Sequence, residues 1–158
     1  MSSQVLSEQS LAVQAFVALL RGHAVATRQL SAQLVANHGL TISDFEVLLR
    51  LSWAPQRRLR RVDLAEQVLL TASGITRLLD GLEKRWLTAR DPCVSDRRVV
   101  YAVLTDAGMA KVEEATQTHF AQIDELFATR FDDDERGELC ALLVRLGEGE
   151  PAECEPVA

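Results

Sequence analysis

Between Ala72 and Arg98 the chain gathers side chains suited to reading a charged, hydrogen-bonding polymer. Ala72, Ser73, Gly74, Thr76 and Arg77 follow one another closely. Ser73 and Thr76 can each give or take a hydrogen bond, and Arg77 can fork onto a guanine edge or a phosphate. Lys84 and Arg85 come about two turns later, where contacts to a phosphate backbone are expected. Asp96, Arg97 and Arg98 lie in a turn-rich stretch. On a narrow projection the two arginines can reach an adjacent minor groove while Asp96 holds one guanidinium by an ion pair. Taken alone, the same arginines also fit an ordinary solvated turn.

Catalytic patterns are missing from the sequence. It has no Gly-rich phosphate loop, no G-x-S-x-G and no histidine pair with metal spacing, so no enzyme activity, cofactor or metal is expected. The cysteines Cys93, Cys140 and Cys154 are odd in number and lack a C-x-x-C pair, which argues against a disulfide framework and a zinc ribbon. Cys93, near Arg90, Arg97 and Arg98, is a redox candidate because those cations favour its thiolate. An incidental loop cysteine is the competing reading. Cys140 is expected in the core of the last helix and Cys154 in an exposed tail.

The formal charge of -6 argues against nucleic acid, but its distribution does not. Residues 57–98 hold ten bases against six acids, a net of +4; residues 99–158 hold four against fourteen, a net of -10; residues 1–56 balance at three of each. A basic middle beside an acidic end is expected when one face meets a polyanion.

The elements that must position these groups are read from periodicity. The 158 residues, 47% hydrophobic and 25% charged, fit one compact domain. A long first helix runs from Gln4 to about Ala36, with Val13, Phe16, Val17, Leu20 and Ala24 on one stripe, and closes at Gly39. Thr41 to Asp44 caps a second helix carrying Phe45, Leu48 and Leu49, which Pro55 ends. Leu64, Ala65 and Val68 mark a short third helix. Thr71 caps a fourth that carries Ile75, Leu78, Leu79 and Leu82 inward, and together the two form a helix-turn-helix. Leu87–Arg90 and Val99–Leu104 predict a hairpin around the turn-rich segment 91–96. Thr105-Asp106 caps a fifth helix with Met109, Val112, Thr116, Phe120, Ile123 and Phe127 on its stripe; a sixth follows Asp132–Glu135 and carries Leu139, Leu142, Leu143 and Leu146. Trp53 is expected in the core, although it can also line a pocket. Residues 148–158 read as a disordered tail. Neither a spanning segment nor a secretory start is present, so the expected location is cytoplasmic.

Several ordered motifs resemble the MarR family of winged helix-turn-helix transcriptional regulators: Leu40-Thr41-x-x-x-Phe45, Leu64-Ala65-Glu66, Thr71-x-Ser73-Gly74-Ile75-Thr76-Arg77-Leu78-Leu79-Asp80-x-Leu82-Glu83, Asp96-Arg97-Arg98 and Leu104-Thr105-x-x-Gly108. The resemblance implies a mainly α fold with a small β-hairpin wing, one domain over 1–147. The winged helix-turn-helix lobe would span about 57–105, with dimerisation helices at 4–36 and 106–147. It further implies a homodimer on a double-stranded, pseudo-palindromic operator, probing it with Ser73, Gly74, Thr76, Arg77, Lys84 and Arg85 and with Asp96, Arg97 and Arg98 of the wing. Trp86 stands where the family commonly has glycine, and Leu69-Leu70 where it often has a Gly-containing turn. Many family members respond to small phenolic or carboxylate ligands. Arg21, His23, His38 and Trp53 are the candidates for such contacts here, each with a plainer reading: a surface arginine, solvated helix and helix-end histidines, a core tryptophan. The first helix lacks the reactive cysteine of the peroxide-sensing branch. The implied function is a repressor released by a small aromatic or carboxylate ligand; the alternative is a helical adaptor or anti-repressor that binds a basic partner through its acidic C-terminal helices.

Overall fold

The computed structural model describes residues 10–68, 70–93 and 98–147. The long helix α1 (Leu11–His38) is capped by the Ser10 hydroxyl and closed by Gly39 at φ 64, a left-handed value that glycine takes without strain. Residues 4–9, expected in this helix, lie outside the described residues. Helix α2 (Ile42–Trp53) begins with a reciprocal capping box between Thr41 and Asp44, both bonds at 3.0 Å. Pro55 stops it and opens a single 3₁₀ turn, Pro55–Arg57. Gln56 and Arg57 both sit at left-handed φ, 56 and 54, and Arg57 is pinned by Asp106 Oδ1 at 3.0 Å from its Nη1.

A strand absent from the sequence reading follows. Strand β1 (Arg58–Arg60) pairs with β3 (Val100–Leu104), which pairs in turn with β2 (Thr88–Pro92), so the expected hairpin is the larger part of a three-stranded antiparallel sheet of order β1-β3-β2. Three residues of Arg-Leu-Arg carry no alternation long enough to read as a strand. Between β1 and β2 lie α3 (Arg61–Gln67) and α4 (Ala72–Lys84); after β3 come α5 (Asp106–Ala128) and α6 (Asp133–Leu146). The fold is mainly α with a small β-wing, as the sequence implied.

The described chain divides into two compact units, 1–119 and 120–158. In the first, Leu34 and Leu40 meet Phe45, Leu48 and Leu51 of α2, Leu64 of α3, Ile75, Leu79 and Leu82 of α4, Ala102 and Leu104 of β3 and Val112 and Ala115 of α5 in one core. Leu40, Leu48, Leu51 and Leu64 are wholly buried, each contributing about 1.5–3 kcal/mol of burial. In the second unit, α6 is capped by Asp132 and Glu135. None of the described α6 residues is buried, and Leu142, Leu143 and Leu146 are exposed.

Three expectations about burial are corrected. His119, not Phe120, is the buried α5 residue at that turn: His119 is 6% exposed and Phe120 46%. Adjacent helical positions are about 100° apart, so a stripe read from spacing can be off by one residue. His38 stands at the helix end, where the sequence put it, and is buried, with its Nε2 2.5 Å from Thr118 Oγ1 of α5. Trp53 is 66% exposed, being the last residue of α2, past the turn that packs into the core. Cys140 is half-buried and disulfide-bonded, not a plain core residue of a chain without disulfides. Among the described residues no helix is long and apolar enough to cross a membrane.

Candidate nucleic-acid interface

Helix α3 buries Leu64 and Ala65, and the turn after it is tied by Val68 N–H to Leu64 O at 3.1 Å and Leu70 N–H to Ala65 O at 2.9 Å. Leu69 itself lies outside the described residues. Thr71 then caps α4: its hydroxyl accepts from Gly74 N–H at 3.1 Å and lies 3.2 Å from Ser73 Oγ. A Cβ at Gly74 would come 3.1 Å from that Thr71 oxygen, so the small residue keeps the cap tight. Helix α4 buries Ile75, Leu79 and Leu82. Ser73, Arg77, Gly81 and Lys84 are all exposed and recur at i, i+4, i+8 and i+11, one stripe roughly 16 Å long.

The structure sorts the cations of the basic segment. Arg57 pairs with Asp106 at 3.0 Å, Arg58 with Asp91 at 3.1 Å, Arg60 with Asp63 at 2.7 Å, and Arg85 with Asp44 at 3.7 Å. Arg61 Nη2 donates to Thr76 Oγ1 at 2.9 Å, and Arg90 binds Asp80 and Glu83. Hydrogen bonding to Asp63 and to Glu83 raises the pKa values of Arg60 and Arg90 above the ordinary arginine value. Arg77 and Lys84 alone, among the described bases of residues 57–93, have no ion pair or side-chain hydrogen bond.

Two sequence candidates therefore have internal work. Thr76 accepts from Arg61 and donates its proton to Ala72 O at 2.8 Å, leaving one lone pair for any outside donor. Arg85 turns toward the α1–α2 junction, where its Nη2 lies 3.8 Å from a Cβ built on Gly39. Arg98 is exposed just before β3. Asp96 and Arg97 lie outside the described residues, as does Cys154. Cys93 is half-buried at the end of β2 with its N–H on Val99 O at 3.0 Å; the guanidinium of Arg90, invoked to activate it, is held by Asp80 and Glu83 instead.

The exit from α4 resolves the position where glycine was expected. Trp86 adopts φ 62, its N–H bonds Glu83 O at 2.9 Å and Leu87 N–H bonds Leu82 O at 3.0 Å, the paired closure of a Schellman motif. Its ring is 80% exposed. Thr105 Oγ1 locks this exit to α5, donating to Trp86 O at 2.7 Å and accepting from Gly108 N–H at 2.9 Å. Gly108 is packed so closely that a Cβ would overlap Leu87 O and lie 2.6 Å from Leu104 Cδ1. The lobe thus has an N-capped helix with a free polar stripe, a flanking β-wing and a rigid joint to α5.

The sequence comparisons match this geometry. The MarR family model matches residues 40–100, the α2-to-wing segment just described. The HTH-type transcriptional repressor YetL of Bacillus subtilis is 31% identical over 113 residues, 72% of this chain and 67% of its own length. The chain belongs to the MarR family. Similar to it across more of its length is the HTH-type transcriptional regulator MhqR of Bacillus subtilis, 29% identical over 90% of this chain and 94% of that protein. Among solved structures, AbsC, a MarR family transcriptional regulator from Streptomyces coelicolor, superposes with a TM-score of 0.80 at 29% identity, covering 89% of this chain and 95% of its own. As a MarR family member the chain is a DNA-binding transcriptional regulator.

The ligand candidates are not one constellation. Arg21 and His23 are exposed midway along α1, and His38 is its last residue, roughly 23 Å further on. His38 Nε2 lies 2.5 Å from Thr118 Oγ1, and its Nδ1 lies 3.8 Å from Glu114 Oε1 without a hydrogen-bond partner. His119, missed by the sequence reading, also buries an unbonded Nδ1 and stands edge-on to Phe45, ring centroids 4.9 Å apart. Burial, and then the neighbouring His38, lowers its pKa below the ordinary 6.5. No group of three metal-ligating side chains occurs among the described residues.

Proposed function

We propose that this regulator is a homodimeric, sequence-specific repressor that lays the Ser73–Arg77–Lys84 stripe of α4 in the major groove of a pseudo-palindromic operator. The wing around Arg98 engages the flanking duplex. The carrying observation is the sorting of cations: six arginines of the basic segment are held by internal partners, while Arg77 and Lys84 stand unpaired on the exposed stripe of a capped helix. Two such helices related by a two-fold axis meet half-sites about 10 base pairs apart.

Gel-shift titration against the intergenic DNA flanking the gene tests this reading, and a folded dimer that shifts no fragment at low salt overturns it. Arg77→Ala is expected to reduce discrimination between operator and random DNA. Arg98→Ala is expected to weaken both and to flatten the salt dependence by about one unit of slope per subunit. Equal losses in both variants would contradict that division.

Release by a small aromatic or carboxylate ligand is the second part of the proposal. Its support is two buried imidazoles with unbonded Nδ1 atoms, His38 and His119, the latter edge-on to the Phe45 ring, which a phenolic hydroxyl or a carboxylate would satisfy. A set of aromatic acids and phenols screened by thermal shift should include one that stabilises the protein and releases DNA, with both effects diminished in His119→Ala.

A further inference from the structure

Strand β2 presents alternate residues to opposite faces of the wing sheet. On the inner face, Thr88 is buried opposite Leu104, and Arg90 comes next, opposite Ala102, at the rim of that face. Its guanidinium reaches α4. Nε lies 2.7 Å from Glu83 Oε1 and 2.9 Å from Oε2, and Nη2 bonds Asp80 Oδ1. Asp80 and Glu83 are three residues apart on α4, between the buried side and the stripe of Arg77 and Lys84. The following residue, Asp91, pairs from the outer face with Arg58 of β1 at 3.1 Å, and the Arg58 guanidinium lies 4.0 Å over the Tyr101 ring. Two consecutive β2 residues therefore grip different elements, one the recognition helix and one the far strand.

We propose that Arg90 is a positioning residue for DNA recognition: it clamps α4 to the wing and sets the angle between the two elements, and it is not itself a DNA ligand. The inference deepens the DNA-binding reading above and rests on it. A planar guanidinium forked across two carboxylates resists rotation of the helix against the strand, which a lysine, a point charge on a flexible stem, would not. The clamp also offsets one of the two negative charges that Asp80 and Glu83 place beside the phosphate-facing stripe.

The alternative roles make opposite predictions for the carboxylates. Three full-length variants, Arg90→Gln, the double Asp80→Asn/Glu83→Gln, and the triple combination, are compared with the unmodified protein after far-UV circular dichroism confirms folding. The duplexes are one enriched by the unmodified protein from a randomised pool and a scrambled control, titrated over a salt series. If the clamp positions α4, Arg90→Gln and the double variant each lower the enriched-to-scrambled affinity ratio about tenfold. The triple variant is then no worse than either, because all three break one unit. The double variant is decisive because removing two negative charges would by itself tighten both duplexes. The proposal is overturned if the double variant tightens both with the ratio unchanged, or if Arg90→Gln flattens the salt dependence by about one unit per subunit, as loss of a phosphate contact does. It is equally overturned if the ratio holds while only the melting temperature falls. Failure of the unmodified protein to enrich any duplex is a different result, refuting DNA binding itself and the clamp with it.

Discussion

Gly108 shows how one residue can be fixed by its surroundings. It is the last position of the Leu104-Thr105-x-x-Gly108 motif, and the structure explains the spacing: the Thr105 hydroxyl caps Gly108 N–H and reaches back to Trp86 O, drawing the start of α5 onto the carbonyl of Leu87. Gly108→Ala is expected to destabilise the protein by about 3 kcal/mol, read as a lower urea midpoint, because the obstructing atom is backbone and cannot rotate away. Trp86 is the reverse case. An L-residue at φ 62 carries about 1 kcal/mol of strain, and an 80% exposed ring returns little packing. Trp86→Gly should therefore raise stability by about 0.5 kcal/mol after the entropic penalty of glycine. The motif residues were legible in the sequence, but the closeness of the Gly108 contact was not, since it depends on where Leu87 arrives from another element.

Among the elements, helices were more legible than contacts. Caps at Thr41 and Thr71 and the stop at Gly39 follow from local chemistry and stand where the sequence put them. Strand β1 did not show, because three residues derive their conformation from pairing with β3 and not from their own pattern. The Arg90 clamp escaped too, although its signal was present: two acids three apart on α4 and a lone arginine in the next strand. The rotation of α5 has a measurable result, because it buries an imidazole. His119 has a lowered pKa in the folded state, so below its ordinary value of 6.5 the unfolded chain binds a proton that the native protein resists. That contribution is complete above this value and is lost as pH falls through it toward the lowered folded value. Urea unfolding from about pH 7.5 to about pH 5.5 should show declining stability, and His119→Phe should flatten the decline. An unchanged slope in that variant would assign the decline to other groups.

At the scale of the whole molecule, apolar residues without partners in the protomer stand out. Phe16 and Leu20 on α1 are 59% and 51% exposed, and Leu142 and Leu146 on α6 are 51% and 66% exposed. Each pair lies four residues apart, on one face of its helix. Contiguous apolar faces of this kind mark association surfaces, in keeping with the proposed homodimer. Leu20→Glu and Leu142→Glu are each expected to shift the protein from dimer to monomer in sedimentation velocity and to weaken operator binding by more than tenfold, since one half-site alone must then hold the protein. A dimer surviving both substitutions would place the two-fold contact elsewhere. The sequence had these residues on helical stripes, and it was the family resemblance, not the spacing, that implied dimerisation helices there. Periodicity shows that a face is apolar without showing whether the same chain or another covers it.

The internal pairing of the arginines bears on how firmly the protein holds DNA in general. A surface that had left all ten bases of the middle segment unneutralised would displace many condensed cations and cling to any duplex. With six committed inside the fold, Arg77 and Lys84 are the unpaired bases among the described residues 57–93, so these two contribute about -4 to the logarithmic salt slope of a dimer, where all ten bases would give about -18. Weak attraction to bulk genome leaves more of the binding free energy to the base contacts, and a modest loss of fit is then enough for departure.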